Sequence, residues 1–339
     1  MHGPRRFARP SGDDLSLAIF PNLDPASYAR HALHGGDRIW TESNCYSDLW
    51  VEVLHAMGLA PEAAFGFAVT QDFEGDQFTF AKPPLDDLEA LFGVVVQELA
   101  IFDDVAVHVD AQLARGRLSL VEVDSYFLPD TQGLSYRSSH GKTSIAINRL
   151  DRSGRRAEYF HGPGYHLLEG ADYDGVFKGY GDETTPFLPY VEFIKIPEIA
   201  PSLDRNMAGE ILTRHLARRP RGNPLRAFQA QLPKLAEAVS EREPSYFHLF
   251  AFNTLRQFGA NFELLASHVA WLEGRPDAPG VAAATQIAAT AKASQFQLAR
   301  ACARKNFDTL PLALEPAVNA YDQVMTSLVA QWGASSVQD

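Results

Sequence analysis

A chain of 339 residues with 46% hydrophobic content is long enough for about two globular domains of ordinary size. Its net charge of −12 argues against a general nucleic-acid binder, and two cysteines exclude a disulfide framework. No run approaches the roughly 18 apolar residues of a membrane span, and the N-terminus MHGPRRFARPSGDD lacks the apolar centre of a secretory signal, so a cytoplasmic protein without membrane contact is expected.

Along the chain, residues 1–40 read as an irregular lead-in rich in Pro, Gly and His. A helix is expected at about 45–57, where Leu49, Trp50, Val53, Leu54 and Met57 recur at helical spacing and Gly58 with Pro61 ends the run. A short strand near Phe65–Val69 follows, then the acidic turn QDFEGDQ, a strand at Phe78–Phe80, and a second helix near 85–99. From about 118 the pattern becomes strands: LSLVEV, KTSIAINRL and RAEYF, the last two joined by a turn at Asp151–Gly154 into a hairpin. Residues 170–204 read as loops plus the strand YVEFIKI. Beyond a boundary near 200–206 the long apolar patterns are helical, at about 206–218, 224–240, 245–272, 279–304 and 311–331, broken by Pro- or Gly-containing stretches. The expected organisation is an α+β domain at 1–204 followed by an all-α bundle at 205–339. Charge follows the same division: residues 205–339 carry 14 Lys/Arg against 11 Asp/Glu, and residues 1–204 carry 16 against 31.

Cys45 stands at the start of the first helix, where unpaired backbone N–H groups and the helix dipole favour thiolate over thiol. A cysteine nucleophile needs a base that takes its proton and later protonates the leaving group. His140, at the entry to the strand in HGKTSIAI, is the leading candidate. His161 ends the partner strand, and an antiparallel hairpin turning near Ser153 is expected to bring residues near 140 and 161 together. Asp124, at the end of LSLVEVD, is placed to hold an imidazole in the required tautomer. Within the turn DFEGDQFTF, Gln77 is a candidate oxyanion donor, and Asn44 is a helix-cap or substrate-binding candidate. No Cys/His spacing suits zinc, so no metal is expected, and thiol-based acyl chemistry calls for no redox cofactor. On the 279–304 helix, Lys292, Arg300 and Arg304 recur at intervals of four or eight residues with Phe296 between them, marking either a solvated stripe or a docking face.

The runs ESNCYSDLW, DFEGDQFTF, EVDSYFLPDT, HGKTSIAI, YFHGPGY and AKASQFQLARACARK resemble a bacterial family defined as a domain of unknown function, over almost the whole chain. More distantly, the order helix-start Cys, Asp-x-Tyr-aromatic-Leu-Pro, His, strand hairpin resembles the BtrH-like acyltransferases of butirosin biosynthesis and the papain-like cysteine-peptidase fold. That resemblance implies a papain-like first domain and transfer of an acyl or aminoacyl group from a carrier protein's phosphopantetheine arm to a small amine-type acceptor. Cys45 matches the nucleophile, Asp124 with Tyr126, Leu128 and Pro129 the Asp-aromatic-Leu-Pro run, and His140 the histidine before the strand. Two departures bear on the base: Thr143 stands where BtrH-like chains carry a second histidine, and His161 where they carry an acidic residue. A cysteine peptidase or amidase, and a non-catalytic scaffold on the same core, are the competing readings.

Overall fold

The computed structural model describes residues 17–178, 188–199 and 201–333. Parts of the expected lead-in (1–16) and of the expected loop segment (179–187 and 200) lie outside the described residues. Six strands, β1 (Val95–Glu98), β2 (Arg117–Asp124), β3 (Lys142–Asp151), β4 (Arg156–His161), β5 (Gly164–Glu169) and β6 (Val191–Lys195), form one sheet in the order β1-β6-β2-β3-β4-β5. Every neighbouring pair is antiparallel. Both faces of the central strands are buried, with Leu118, Leu120, Val121, Ile145, Ala146 and Ile147 excluded from solvent, so the alternation of a one-sided sheet is lost here.

Among the described residues, four α-helices belong to this region: α1 (Cys45–Ala56), α2 (Leu85–Phe92), α3 (Val105–Leu113) and α4 (Gly170–Phe177). Helix α1 runs over β3, β4 and β5, α3 packs on β2 and β3, and α4 packs on β4 and β5. The face that α1 covers follows from register, because directly paired residues on antiparallel strands project to the same side. Glu192, Leu120, Ala146, Phe160 and Tyr165 are successive cross-strand partners. Tyr46 in the first turn of α1 donates its hydroxyl to Glu192 at 3.1 Å, and Glu52 further along α1 accepts from Tyr28, whose ring lies 6.1 Å from that of Phe160. Helix α1 therefore covers the face that carries Glu192, Leu120, Ala146 and Phe160.

Four sequence expectations are corrected in the first part of the chain. The strand expected at Phe78–Phe80 is a single bridge between Phe78 and Phe73. Phe65–Val69 belongs to a 3-10 helix, Pro61–Thr70. Residues 63–69 are buried on every side, and a run buried all round carries no period that separates helix from strand. A side chain at Gly66 would meet the His268 ring at 2.9 Å, so this helix requires a glycine where it passes that histidine. The helix expected at 85–99 stops at Phe92, because Gly93 adopts φ +66° and the valines after it enter β1. Strand β5 and helices α3 and α4 were not expected; α3 starts at Asp104, whose carboxylate accepts from the Ala106 and Val107 N–H groups.

The C-terminal region is all-helical: α5 (Arg205–Ala217), α6 (Pro224–Ser240), α7 (Pro244–Ala251), α8 (Gln257–Glu273), α9 (Val281–Arg304) and α10 (Leu310–Trp332). The helix expected at 245–272 is α7 and α8 joined through a π-turn at Phe252–Arg256. Two earlier segments, Leu33–Asn44 and Glu62–Pro84, belong to the same compact unit as these helices. The Glu263 carboxylate accepts from the Ile39 and Trp40 N–H groups, and Phe73 and Phe78 pack against Phe228. The sequence boundary near 204 thus separates the sheet from the helices along the chain, while residues 33–44 and 62–84 contribute to the helical unit.

Candidate functional site

Cys45 is the first residue of α1 and is partly exposed. On the sheet face that α1 covers, β2 alternates Leu120, Glu122, Asp124, which puts Asp124 on the α1 side at the end of the strand. The chain leaves β2 there, runs through 3-10 turns at Ser125–Phe127 and Pro129–Thr131, and returns to β3 at Lys142, the direct partner of Asp124. The neck of this loop is closed by the Ser125 N–H bonded to the Gly141 carbonyl at 2.8 Å. His140 stands at that neck, its Nδ1 2.5 Å from Asp124 Oδ2.

Burial pulls the Asp124 carboxyl upward, but the His140 hydrogen bond and the N–H groups of Tyr126 and Gly141 outweigh it and hold the group below the usual carboxylate range. An ionised carboxylate only accepts, so Nδ1 of His140 carries the proton. In the neutral imidazole this leaves Nε2 as the acceptor, unoccupied by any hydrogen bond among the described residues. The ring is stacked on Tyr126, with centroids 4.5 Å apart and planes 12° from parallel. His140 is otherwise open, its side chain 72% exposed. The arrangement is an oriented imidazole with its basic nitrogen presented outward.

His161 does not join this pair. It follows Phe160, which faces α1, so it projects from the opposite face of the sheet together with Tyr159 and Thr143. Its Nδ1 lies 2.5 Å from Asp130 Oδ2 and its Nε2 2.8 Å from the Thr143 hydroxyl. Both ring nitrogens are occupied, and neither is free to take a proton from a nucleophile on the α1 face. The expectation that His161 shares a site with Cys45 and His140 is corrected by this parity. Asp130, the partner of His161, was not singled out in the sequence; its signal there was its place directly after the Leu128-Pro129 pair.

The remaining candidates are placed as follows. Asn44 donates its side-chain amide to the Ala81 carbonyl at 2.9 Å, which holds the chain just before α1. Gln77 is exposed at the tip of a tight turn in which its carbonyl accepts the Glu74 N–H at 2.8 Å. Lys292 is half-buried, its ammonium 4.3 Å above the Trp40 ring, whereas Arg300 and Arg304 are exposed beside Phe296, itself 68% exposed. Cys302 is partly buried, and burial pushes its thiol up. Among the described residues no three His, Cys, Asp or Glu side chains converge to hold a metal, and no helix is long and apolar enough to cross a membrane.

The class defined by this arrangement is an α+β region with an antiparallel sheet, a helix-start cysteine and an Asp–His pair, followed by an all-helical region. The chain matches the DUF1839 N-terminal domain over residues 29–196 and the DUF1839 C-terminal domain over residues 202–330. It belongs to that family of unknown function. No curated protein matches it.

Proposed function

We propose that this chain is a cysteine-dependent acyl- or aminoacyl-transferase with a papain-like first domain, working on a carrier-protein thioester and an amine-type acceptor. The observation that carries the reading is the Asp124–His140 pair, which leaves Nε2 of His140 free on the same sheet face as the helix that begins with Cys45. The resemblance to BtrH-like acyltransferases supplies the choice of donor and acceptor. In the first half-reaction Nε2 takes the Cys45 proton, the sulfur attacks the thioester carbonyl, and the departing carrier thiol receives that proton from the imidazolium. In the second, the acceptor amine attacks the acyl-enzyme and loses a proton to Nε2, which passes it to the departing Cys45 sulfur. Asp124 keeps the imidazole in the Nδ1–H tautomer throughout. The sequence requires no electron donor or acceptor.

An acidic carrier protein fits the exposed part of the α9 stripe, Phe296, Arg300 and Arg304, while Lys292 serves the fold through Trp40. The test is intact mass measurement after incubation with acyl- and aminoacyl-carrier proteins. An adduct on the wild type that is absent in Cys45→Ala supports the reading, and its release onto an added amine rather than water separates transferase from hydrolase. No adduct with any carrier, while the protein stays folded, refutes it.

A further inference from the structure

The buried polar cluster on the far face of the sheet has no part in the chemistry above, yet it grips the loop that presents His140. Asp130 sits in the second 3-10 turn of that loop, between Asp124 and His140 in the chain. Its side chain is 10% exposed, and both carboxylate oxygens are taken: Oδ1 by the Tyr159 hydroxyl and Oδ2 by His161 Nδ1. Burial pulls this carboxyl upward, but the hydrogen bond and charge of His161, with His166 and Tyr159, outweigh it and keep the group below the usual carboxylate range. A buried carboxylate that stays ionised holds its partners by charge-assisted hydrogen bonds, which are the strong and directional kind. The second nitrogen of His161 meets Thr143, on β3 three residues beyond His140. A single imidazole thus ties the middle of the loop to the strand that resumes after it, and β4 carries both His161 and Tyr159.

Within the loop the grip is passed on locally. Thr131, next to Asp130, donates its hydroxyl to the carbonyls of Ser125 and Leu128, and the Arg137 N–H bonds the Tyr126 carbonyl at 3.0 Å. Tyr126 is the residue on which the His140 ring stacks. His140 itself has one side-chain hydrogen bond and one stack, and is mostly in solvent. Its direction is therefore only as defined as the loop beneath it.

We infer that the Asp130–His161 pair is a positioning device, a pin through the back of the sheet that fixes the loop on which Tyr126 and His140 are aligned. Neither residue touches the reacting atoms. The inference rests on the proposed role of His140 for its catalytic consequence, but its structural content is testable without any reaction.

The ring protons of His140 in the wild type should carry the upfield ring-current shift of a stacked imidazole in solution NMR. In Asp130→Ala that shift should collapse, and in Asp130→Asn, which keeps the size and one acceptor, much of it should remain. Thr143→Val, which removes one hydroxyl at constant shape, should give a smaller loss of the same sign and carries the test if Asp130→Ala does not fold. Where acylation of Cys45 is measured, Asp130→Ala should lose about a hundredfold in kcat with little change in KM, the scale of a misplacement by about 1 Å, with partial rescue in Asp130→Asn. A core variant of equal thermal destabilisation, such as Leu120→Ala, should leave the His140 shift in place. Unchanged His140 resonances in a folded Asp130→Ala, or in Thr143→Val when that variant carries the test, would overturn the inference. If they collapse while wild-type Cys45 accepts no acyl group from any donor, the transfer reading fails and the pin stands.

Discussion

Replacing Asp124 by Asn separates the orienting role proposed for this carboxylate from the basic role proposed for His140. The variant keeps the shape and the acceptor for the Tyr126 and Gly141 N–H groups, but an amide no longer dictates that Nδ1 of His140 carries the proton. A hydrogen bond to a charged group contributes about 1.5–3 kcal/mol. Here the discount for solvent is substantial, since the Asp124 and His140 side chains are 32% and 72% exposed. About 1–2.5 kcal/mol of orientation remains, which at about 1.4 kcal/mol per decade is a loss between fivefold and seventyfold in the rate of Cys45 acylation. This is far below the roughly 10⁴-fold loss known for a buried orienting aspartate, because the imidazole here lies mostly in water and the Tyr126 stack survives. His140→Ala removes the proposed base and should cost about 10²–10⁴-fold. The assay is single-turnover acylation by a small free thioester followed by intact mass, with thermal unfolding as the control for fold. If Asp124→Asn is as inactive as His140→Ala, or if both match the wild type, the assignment of orienter and base is refuted.

Other consequences are accessible with simple measurements. Cys45, partly exposed at a helix N-terminus, should alkylate with iodoacetamide faster than Cys302, whose thiol is pushed up by burial; equal rates at neutral pH would count against a nucleophilic Cys45. Because the folded Asp130 carboxyl lies below its unfolded value of about 3.9, its stabilisation is fully present above about pH 4 and is lost as pH falls through the lower folded value. Thermal melts from pH 6 to pH 2 should therefore show a steeper acid loss in the wild type than in Asp130→Asn. Phe228→Ala empties a fully buried site among Phe73, Phe78 and Phe258 and should cost about 3–5 kcal/mol in urea unfolding, the range for large aromatic truncations. Arg300→Glu with Arg304→Glu should slow transfer from an acidic carrier protein in a manner that fades with added salt, and leave a small thioester unaffected; equal losses for both donors would assign these arginines to the fold.

The amino-acid sequence by itself determined the all-helical second half almost element by element, since its apolar residues recur at helical spacing between Pro- and Gly-marked breaks. It also determined α1, the four neighbouring strands β6, β2, β3 and β4 and the position of His140 at the mouth of β3, where short β-branched runs bounded by turn residues are local signals. What it left open are features set by partners distant in the chain. The run Phe65–Val69 is apolar on all sides, and only its surroundings decide that it winds as a 3-10 helix. The allegiance of residues 33–44 to the helices depends on Glu263, more than 200 positions away, accepting their N–H groups. The separation of His161 from His140 turned on a single residue of parity. Phe160 and His161 are neighbours in the chain, but antiparallel pairing of Phe160 with Ala146 sends the first toward α1 and the second to Asp130 on the other side, and a period of two gives no sign of which face is which until the strands are paired.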